Sequence, residues 1–206
     1  MRFLSGSFAG LLLVAVSIPA QELKPIPLPK PQTEGGKPLM KALSERKSGR
    51  EFSSEKLAPQ VLSNLLWAAW GVNRPDGHRT APSASNRQEI DIYVAMADGL
   101  FRYDAKAHQL EPVLAEDVRA ATGTQPWVAQ APLNLVYVAD QAKTKSSDMM
   151  YADTGFISQN VYLFCASEGL ATVVRGSVPR EALAKVMKLR PDQVITLGQT
   201  VGYPKK

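Results

Sequence analysis

The sequence predicts an α+β protein. Three observations point there: amphipathic helical stretches close behind the N-terminal region, an alternating segment at Ile90–Met96 that leads into a tight Asp98-Gly99 turn, and a long Pro-free stretch from Asp148 to Glu168. Helices mixed with a hairpin and separate strands favour α+β over a regular strand–helix alternation. At 206 residues, 45% apolar and 21% charged, the chain can bury one sizeable core.

The first element is an address. Arg2 precedes an apolar stretch from Phe8 to Ile18, and Ser17-Ile-Pro-Ala20 ends it. A short positive region, an apolar run of this length and a small final residue read as a secretory signal over residues 1–20, cut after Ala20. The run is short for a membrane span, which needs about 20 apolar residues, although a retained anchor is the alternative. The expectation is an exported protein, periplasmic or extracellular, with no stable membrane insertion once the signal is removed. Residues 21–38, with Lys24-Pro-Ile-Pro-Leu-Pro-Lys-Pro31, read as an extended Pro-rich linker. The folded domain is expected over 39–206.

Leu39, Met40 and Leu43 recur at helical spacing up to about Arg46. Pro59 opens a second helix, whose Val61, Leu62, Leu65, Leu66 and Ala69 share one side and which Gly71 ends. Ile90, Ile92, Val94 and Met96 alternate with Asp91 and Tyr93, so a strand leads through Asp98-Gly99 into Leu100-Phe-Arg-Tyr103 as a hairpin. Helical patches are expected between about Glu116 and Ala131, then a buried strand over Pro132 to Val138. The stretch from Asp148 to Glu168 is the longest helix, apolar nearly all round (Phe156, Ile157, Val161, Leu163, Phe164), with Gly169 as a left-handed cap. A short strand at Ala171 to Val174, a helix from Pro179 to Leu189, and strands at Val194 to Leu197 and Val201 to Tyr203 close the chain.

Composition excludes much chemistry. One cysteine and two histidines cannot build a Cys/His zinc site. His78 and His108 lie in polar loop sequence, and Cys165 sits in the apolar run Val161-Tyr-Leu-Phe-Cys-Ala166 as a structural thiol. No metal site and no catalytic side chain is expected, so a bound cofactor would carry any hard chemistry. The net charge of +5 is spread along the chain, without the basic stripe and interleaved aromatics of a nucleic-acid binder.

Four segments stand out. Glu45-Arg-Lys-Ser-Gly-Arg-Glu-Phe52 gathers Arg46, Lys47, Ser48 and Arg50 at a helix end, which suits phosphate but equally suits a solvated basic cap. Thr80-Ala-Pro-Ser-Ala-Ser-Asn-Arg-Gln88 combines small residues, which let backbone approach a flat ligand, with the donor–acceptor amide of Asn86, though it could be an ordinary turn. Gly169-Leu-Ala-Thr-Val-Val-Arg-Gly176 and Val201-Gly-Tyr-Pro-Lys-Lys206 are weak alone.

Together, in this order and spacing, the segments resemble the nitroreductase family, especially its branch of single-domain dehydrogenases related to azoline-forming oxidases. Arg46-Lys-Ser-Gly-Arg-Glu-Phe52 is similar to the family's Arg-x-Ser-x-Arg-x-Phe, and Ala81-Pro-Ser-Ala-Ser-Asn-Arg-Gln88 to its Pro-Ser-x-x-Asn-x-Gln. Gln159-Asn160, Gly169-Leu170 and Gly202-Tyr-Pro204 match its central helix, the turn after it and its closing strand; Leu66-Trp-Ala-Ala-Trp-Gly-Val-Asn73 and Asp98-Gly-Leu-Phe-Arg-Tyr103 match the dehydrogenase branch. The resemblance spans about Leu39 to Lys206.

It implies a central mixed, mostly antiparallel sheet flanked by helices around a long core helix. It further implies a homodimer that binds FMN between its subunits and a ping-pong hydride transfer through the flavin N5, with an unassigned donor and substrate. The alternative is a non-catalytic flavin-binding or electron-carrier protein. By match, Arg46 and Ser48, with Lys47 beside them, hold the phosphate, and Arg50 lies near N1 and O2, where positive charge favours the reduced ring. Pro82, Ser83, Ala84 and Asn86 line the flavin, and Arg175-Gly176 passes its edge near N5. Three departures stand out. Glu89-Ile90 replaces the usual Pro-Trp, Arg175 stands where an acidic residue is common, and the chain stops at Lys206, leaving Lys205 as a substitute for a basic pair that binds phosphate.

Overall fold

A strand sends successive side chains to opposite faces, and here both faces of the central strands are apolar, so both must be covered. The computed structural model describes residues 23–206; the export signal expected over 1–20 lies outside the described residues. The elements run β1 (Ile26–Pro27), α1 (Leu39–Glu45), α2 (Pro59–Trp70), β2 (Ile90–Met96), β3 (Gly99–Asp104), β4 (Gln109–Leu114), β5 (Leu133–Asp140), α3 (Ser147–Glu168), β6 (Ala171–Arg175), α4 (Arg180–Val186) and β7 (Gln193–Gly202). The strands form one sheet in the order β1-β4-β3-β2-β5-β7-β6. Every pairing is antiparallel, so the sheet is not mixed.

The alternation in β2 and β5 builds two cores. Ile90, Ile92, Val94, Leu133, Leu135 and Tyr137 join α2 and α3 in one cluster. Tyr93, Ala95, Val136 and Val138 join Leu183 of α4 in the other. Fully burying one Leu or Ile contributes about 1.5–3 kcal/mol, so this two-sided burial is what holds the sheet between its helices. α3 runs 22 residues and ends where Gly169 takes φ 72°, the left-handed cap. It is less central than its apolar residues suggest. Phe156 stays 47% exposed, while Asp153, Thr154 and Ser158 are buried.

Several local expectations shift. Met96 pairs with Gly99, so the hairpin turn is Ala97-Asp98 and Gly99 opens β3 with φ 142°. β4 is a strand that the sequence hides: Pro112 interrupts its pattern and lies opposite Phe101, beside a register shift. The stretch between Glu116 and Ala131 holds only a 3-10 turn, Arg119–Thr122. β7 is one continuous strand of 10 residues rather than two short ones.

The largest correction concerns the linker. Residues 23–37 are not a free spacer, because β1 adds to the sheet edge by pairing Ile26 with Leu110. The Leu28 N–H then donates to His108 O at 3.2 Å, and Lys37 N–H to Ser167 Oγ at 2.8 Å. His108 is correspondingly not an exposed loop residue. It is half-buried, bonded to Tyr103 Oη at 2.9 Å and Ser63 Oγ at 2.7 Å, and burial lowers its pKa. Alternate prolines leave the intervening N–H groups free to pair, which suits an edge strand.

Gly123 packs directly against the Arg175 guanidinium, and a Cβ there would collide with Nη1. Gly123→Ala is expected to cost about 2 kcal/mol, read as a lower urea midpoint with unchanged slope.

Candidate active site

The basic segment leaves α1 at Arg46 and runs beside β6, where Gly49 N–H donates to Thr172 O at 2.9 Å. A Cβ on Gly49 would sit 3.2 Å from Ala171 Cβ, so the approach is close. Tyr162 of α3 organises the segment. Its hydroxyl lies 2.8 Å from Ser48 Oγ and accepts Val174 N–H at 3.0 Å, while Arg46 Cζ stands 5.2 Å from the ring centroid. With the phenol proton donated to Ser48, the Ser48 hydrogen is left for a ligand. Sequence reasoning missed Tyr162. The available signal was a phenol inside an apolar helical run, because a buried Tyr hydroxyl needs a partner.

Lys47, Ser48, Arg50, Tyr162 and Lys205 line one cavity of about 820 Å³. Lys205 reaches it because its N–H bonds Glu51 O at 3.2 Å and Pro204 bridges to Phe52. Lys37, from the segment expected to be linker, lines it too. Among the described residues, no carboxylate lies within 4.0 Å of Arg46, Lys47, Arg50 or Lys205. Two acids, Glu45 and Glu51, line the same cavity; Glu45 is taken by Lys37 and Lys41, each at 2.7 Å, and the hydrogen bonds from Lys37 and then Lys41 pull its carboxyl down to about 2. Unpaired cations around a hydroxyl suit a phosphate. Arg46 lies over the Tyr162 ring and lines neither this cavity nor a larger groove of about 1240 Å³, which shares Pro204 and Lys205 but contains none of Lys47, Ser48 or Arg50.

Pro82, Ser83, Ala84 and Asn86 do not line that cavity. They lie at the other half of α3, where Ala84 N–H donates to Asp153 Oδ2 at 2.8 Å. Asp153 and Tyr162 are nine residues apart on the helix, roughly 13 Å along its axis. The loop is held by its own bonds. Ser83 Oγ accepts Gln88 N–H at 3.0 Å, and Asn86 Oδ1 accepts Gln88 Nε2–H at 3.0 Å, leaving the Asn86 NH₂ for a ligand edge. Ser85, Asn86 and Gln88 have φ of 53°, 51° and 48°. Such clustered left-handed residues outside glycine store strain and concentrate at functional sites.

Arg175 departs from expectation. It is 5% exposed and donates to Thr122 O at 2.8 Å, Thr200 Oγ1 at 3.1 Å and Asn134 Oδ1 at 3.3 Å. Burial lowers its pKa to about 10. Its guanidinium faces the core and selects no donor or substrate; only exposed Gly176 presents backbone at that edge. Cys165 is buried, and burial pushes its thiol up, as expected of a structural thiol.

The nitroreductase family model matches residues 43–203. The chain belongs to the nitroreductase family. A Methanocaldococcus jannaschii protein, "Putative nitroreductase MJ1384", is 32% identical over 171 residues, covering 74% of this chain and 85% of that protein. The crystal structure of a Ralstonia eutropha protein with the same description is 42% identical, covers 96% of this chain and 97% of its own, and superposes with a TM-score of 0.85. A Desulfovibrio desulfuricans structure described as a nitroreductase in complex with FMN shares the fold at a TM-score of 0.63, with 20% identity over 84% of this chain and 89% of that one. This nitroreductase is therefore an oxidoreductase by family, and its two polar clusters, at 46–50 and 82–88, sit on one helix but in different places.

Tyr162→Phe removes the acceptor of Val174 N–H and the partner of Ser48. It is expected to cost about 1–2 kcal/mol in urea unfolding.

Proposed function

We propose that this nitroreductase is an exported FMN-dependent oxidoreductase that works as a homodimer, each flavin gripped by residues of both subunits. The observation that carries the reading is the cavity in which Arg50, Lys47 and Lys205 stand without carboxylate partners around the Ser48–Tyr162 pair. Exposed cations that converge on one cavity around a hydroxyl present a local positive field that draws an anion, and the FMN phosphate is such an anion. Bound FMN supplies reversible hydride acceptance, which no side chain of this chain provides.

The residues divide the work of holding it. Arg46 and Ser48 take the phosphate, with Lys47 and Lys205 screening its charge; Arg50, exposed at the cavity mouth, offers its fork to the carbonyl edge of the ring. The 82–88 loop presents the Asn86 amide and a Ser83-Ala84 backbone that a flat ring can approach.

Support for the dimer is an unpartnered apolar face. Leu39, Met40 and Leu43 of α1 are 63%, 75% and 43% exposed, and Met149 and Phe156 of α3 are 39% and 47% exposed. α1 packs on α3, beside the half where Lys37 meets Ser167 and Arg46 meets Tyr162, so the exposed apolar residues form two patches along α3. Asp153, which anchors the 82–88 loop, falls between Met149 and Phe156 on α3. A second copy covering the Met149–Phe156 patch would also cover the loop, so that the two clusters at one flavin would come from different subunits. The export signal would place the protein where nicotinamide donors are scarce, which favours a quinone, a redox protein or a substrate to be oxidised as the electron source.

Purified protein is expected to show flavin absorbance or to take up FMN; a colourless protein that binds none would end this reading. Arg50→Ala should weaken FMN binding by about tenfold or more, measured by fluorescence titration. Met40→Glu should weaken self-association by about tenfold or more and lower FMN affinity with it, read by sedimentation and titration together.

A further inference from the structure

Four cations and two acids line the cavity of about 820 Å³: Lys37, Lys47, Arg50 and Lys205 against Glu45 and Glu51. Glu45 directly precedes the basic segment, so its charge opposes any anion that the segment attracts. It stays ionised near neutral pH, because hydrogen bonds from Lys37 first and Lys41 next pull its carboxyl down to about 2. Both of its oxygens are engaged. Lys41 reaches Oε1 at 2.7 Å from one turn earlier on α1, and Lys37 reaches Oε2 at 2.7 Å from outside the helix.

Long-range structure places Lys37 there. The chain from Leu23 to Lys37 crosses the molecule as a strap. Ile26 pairs with Leu110 of β4, and two residues of α2 hold the next stretch: Ser63 donates its hydroxyl to Pro29 O at 2.5 Å, and Asn64 Oδ1 accepts the Gln32 N–H at 2.9 Å. Gly35 and Gly36, at φ 105° and 75°, then turn the strap onto the end of α3. A Cβ on Gly36 would stand 2.7 Å from Ser167 Oγ, so this close approach requires glycine. There the Lys37 N–H donates to Ser167 Oγ at 2.8 Å, and Nζ donates to Ala166 O at 3.1 Å as well as to Glu45. An exposed ion pair between two free side chains contributes little, but this ammonium is held by its own backbone on one side and a helix carbonyl on the other. The strap precedes residue 43, where the match to the family model begins, so the contact lies outside that match.

We propose that Lys37 is a positioning residue of the cofactor cavity: by engaging Glu45 Oε2 it keeps that carboxylate off the other cations and leaves them to the ligand phosphate. The strap is thereby part of the anion site. Without Lys37, Oε2 loses its partner, and the remaining cations of the cavity are what is left to take it. An internal carboxylate then competes with the phosphate for the same donors. The bonds to Glu45 and Ala166 use two of the three ammonium hydrogens, so the rival role is a direct contact between Lys37 and the phosphate. The link to flavin rests on the FMN reading above; the competition between Glu45 and an anion does not.

The purified protein is titrated with FMN, with riboflavin, which lacks the phosphate, and with inorganic phosphate, at about 0.01 M and about 1 M salt. Lys37→Ala should weaken FMN and phosphate binding about fivefold at the lower salt and change riboflavin binding by less than about twofold. Most of the loss should vanish at the higher salt, where the Debye length is about 3 Å. With Glu45→Gln in place, the same Lys37→Ala change should weaken FMN binding by less than about twofold. Lys37→Gln, which keeps a donor for Ala166 O, repeats the series in case Lys37→Ala loosens the strap. Equal losses with and without Glu45→Gln mean that Lys37 meets the phosphate itself, and overturn the positioning role. A riboflavin loss as large as the FMN loss in both variants means a general loosening and overturns it too, as does no loss with either FMN or phosphate. Protein that binds no flavin, but whose inorganic phosphate binding follows the expected pattern, ends the FMN reading and supports the role of Lys37.

Discussion

A phenol that is buried must be hydrogen-bonded, and in this protein that requirement falls on Tyr162. Its hydroxyl can be satisfied only by bringing the chain after α1 against the end of β6, because Ser48 and the Val174 N–H are its partners. That contact sets the height of the basic segment on the sheet, places Arg46 over the ring, and turns Ser48 toward the cavity. The closing segment completes the wall through the bridge between Phe52 and Pro204. The 46–50 segment is thus hung from one hydroxyl on α3, while Lys37 and Lys205 reach the cavity through their own backbone bonds.

Charge is handled in two opposite ways within a short distance. Around the cavity, Lys47, Arg50 and Lys205 are left without carboxylate partners while Lys37 pairs with Glu45, which keeps the first three available to an anion. Arg175 has no carboxylate partner either, but its guanidinium is turned into the core and satisfied by a carbonyl and two side-chain oxygens. The difference is positional. Arg175 is the last residue of β6, on the face that Gly123 and Gly198 leave open to a large planar group. Asp153 shows the same economy with acids: a buried carboxylate on α3 spends one oxygen on the Ala84 N–H, and so gives an otherwise ordinary helix residue control over the shape of a distant loop.

Much of the architecture was legible in the sequence because it depends on local periodicity. The 3.6-residue pattern of Leu62, Leu65 and Leu66, the alternation of Ile90, Ile92 and Val94, and Gly169 as a stop signal report burial and backbone needs that the neighbours in sequence already determine. What was hidden depends on pairing between distant segments. β4 carries Pro112 and few apolar residues, so only its place beside β3 makes it a strand. The Pro-rich segment at 24–31 looks unstructured until the edge of β4 supplies partners for its free N–H groups. His108 reads as a loop residue until Ser63, Tyr103 and Pro29 converge on it.

The sequence by itself determined the fold class, the family and the segments that carry polar chemistry, because helix and strand periods and short spaced motifs are properties of neighbours along the chain. Only the tertiary structure decided which of those polar residues face a cavity and which face the core. Arg50 and Lys205, 155 residues apart in sequence, meet at one cavity, while Arg175 turns inward. Such outcomes follow from which surfaces the sheet and α3 leave to be filled, and chain neighbours carry no record of that.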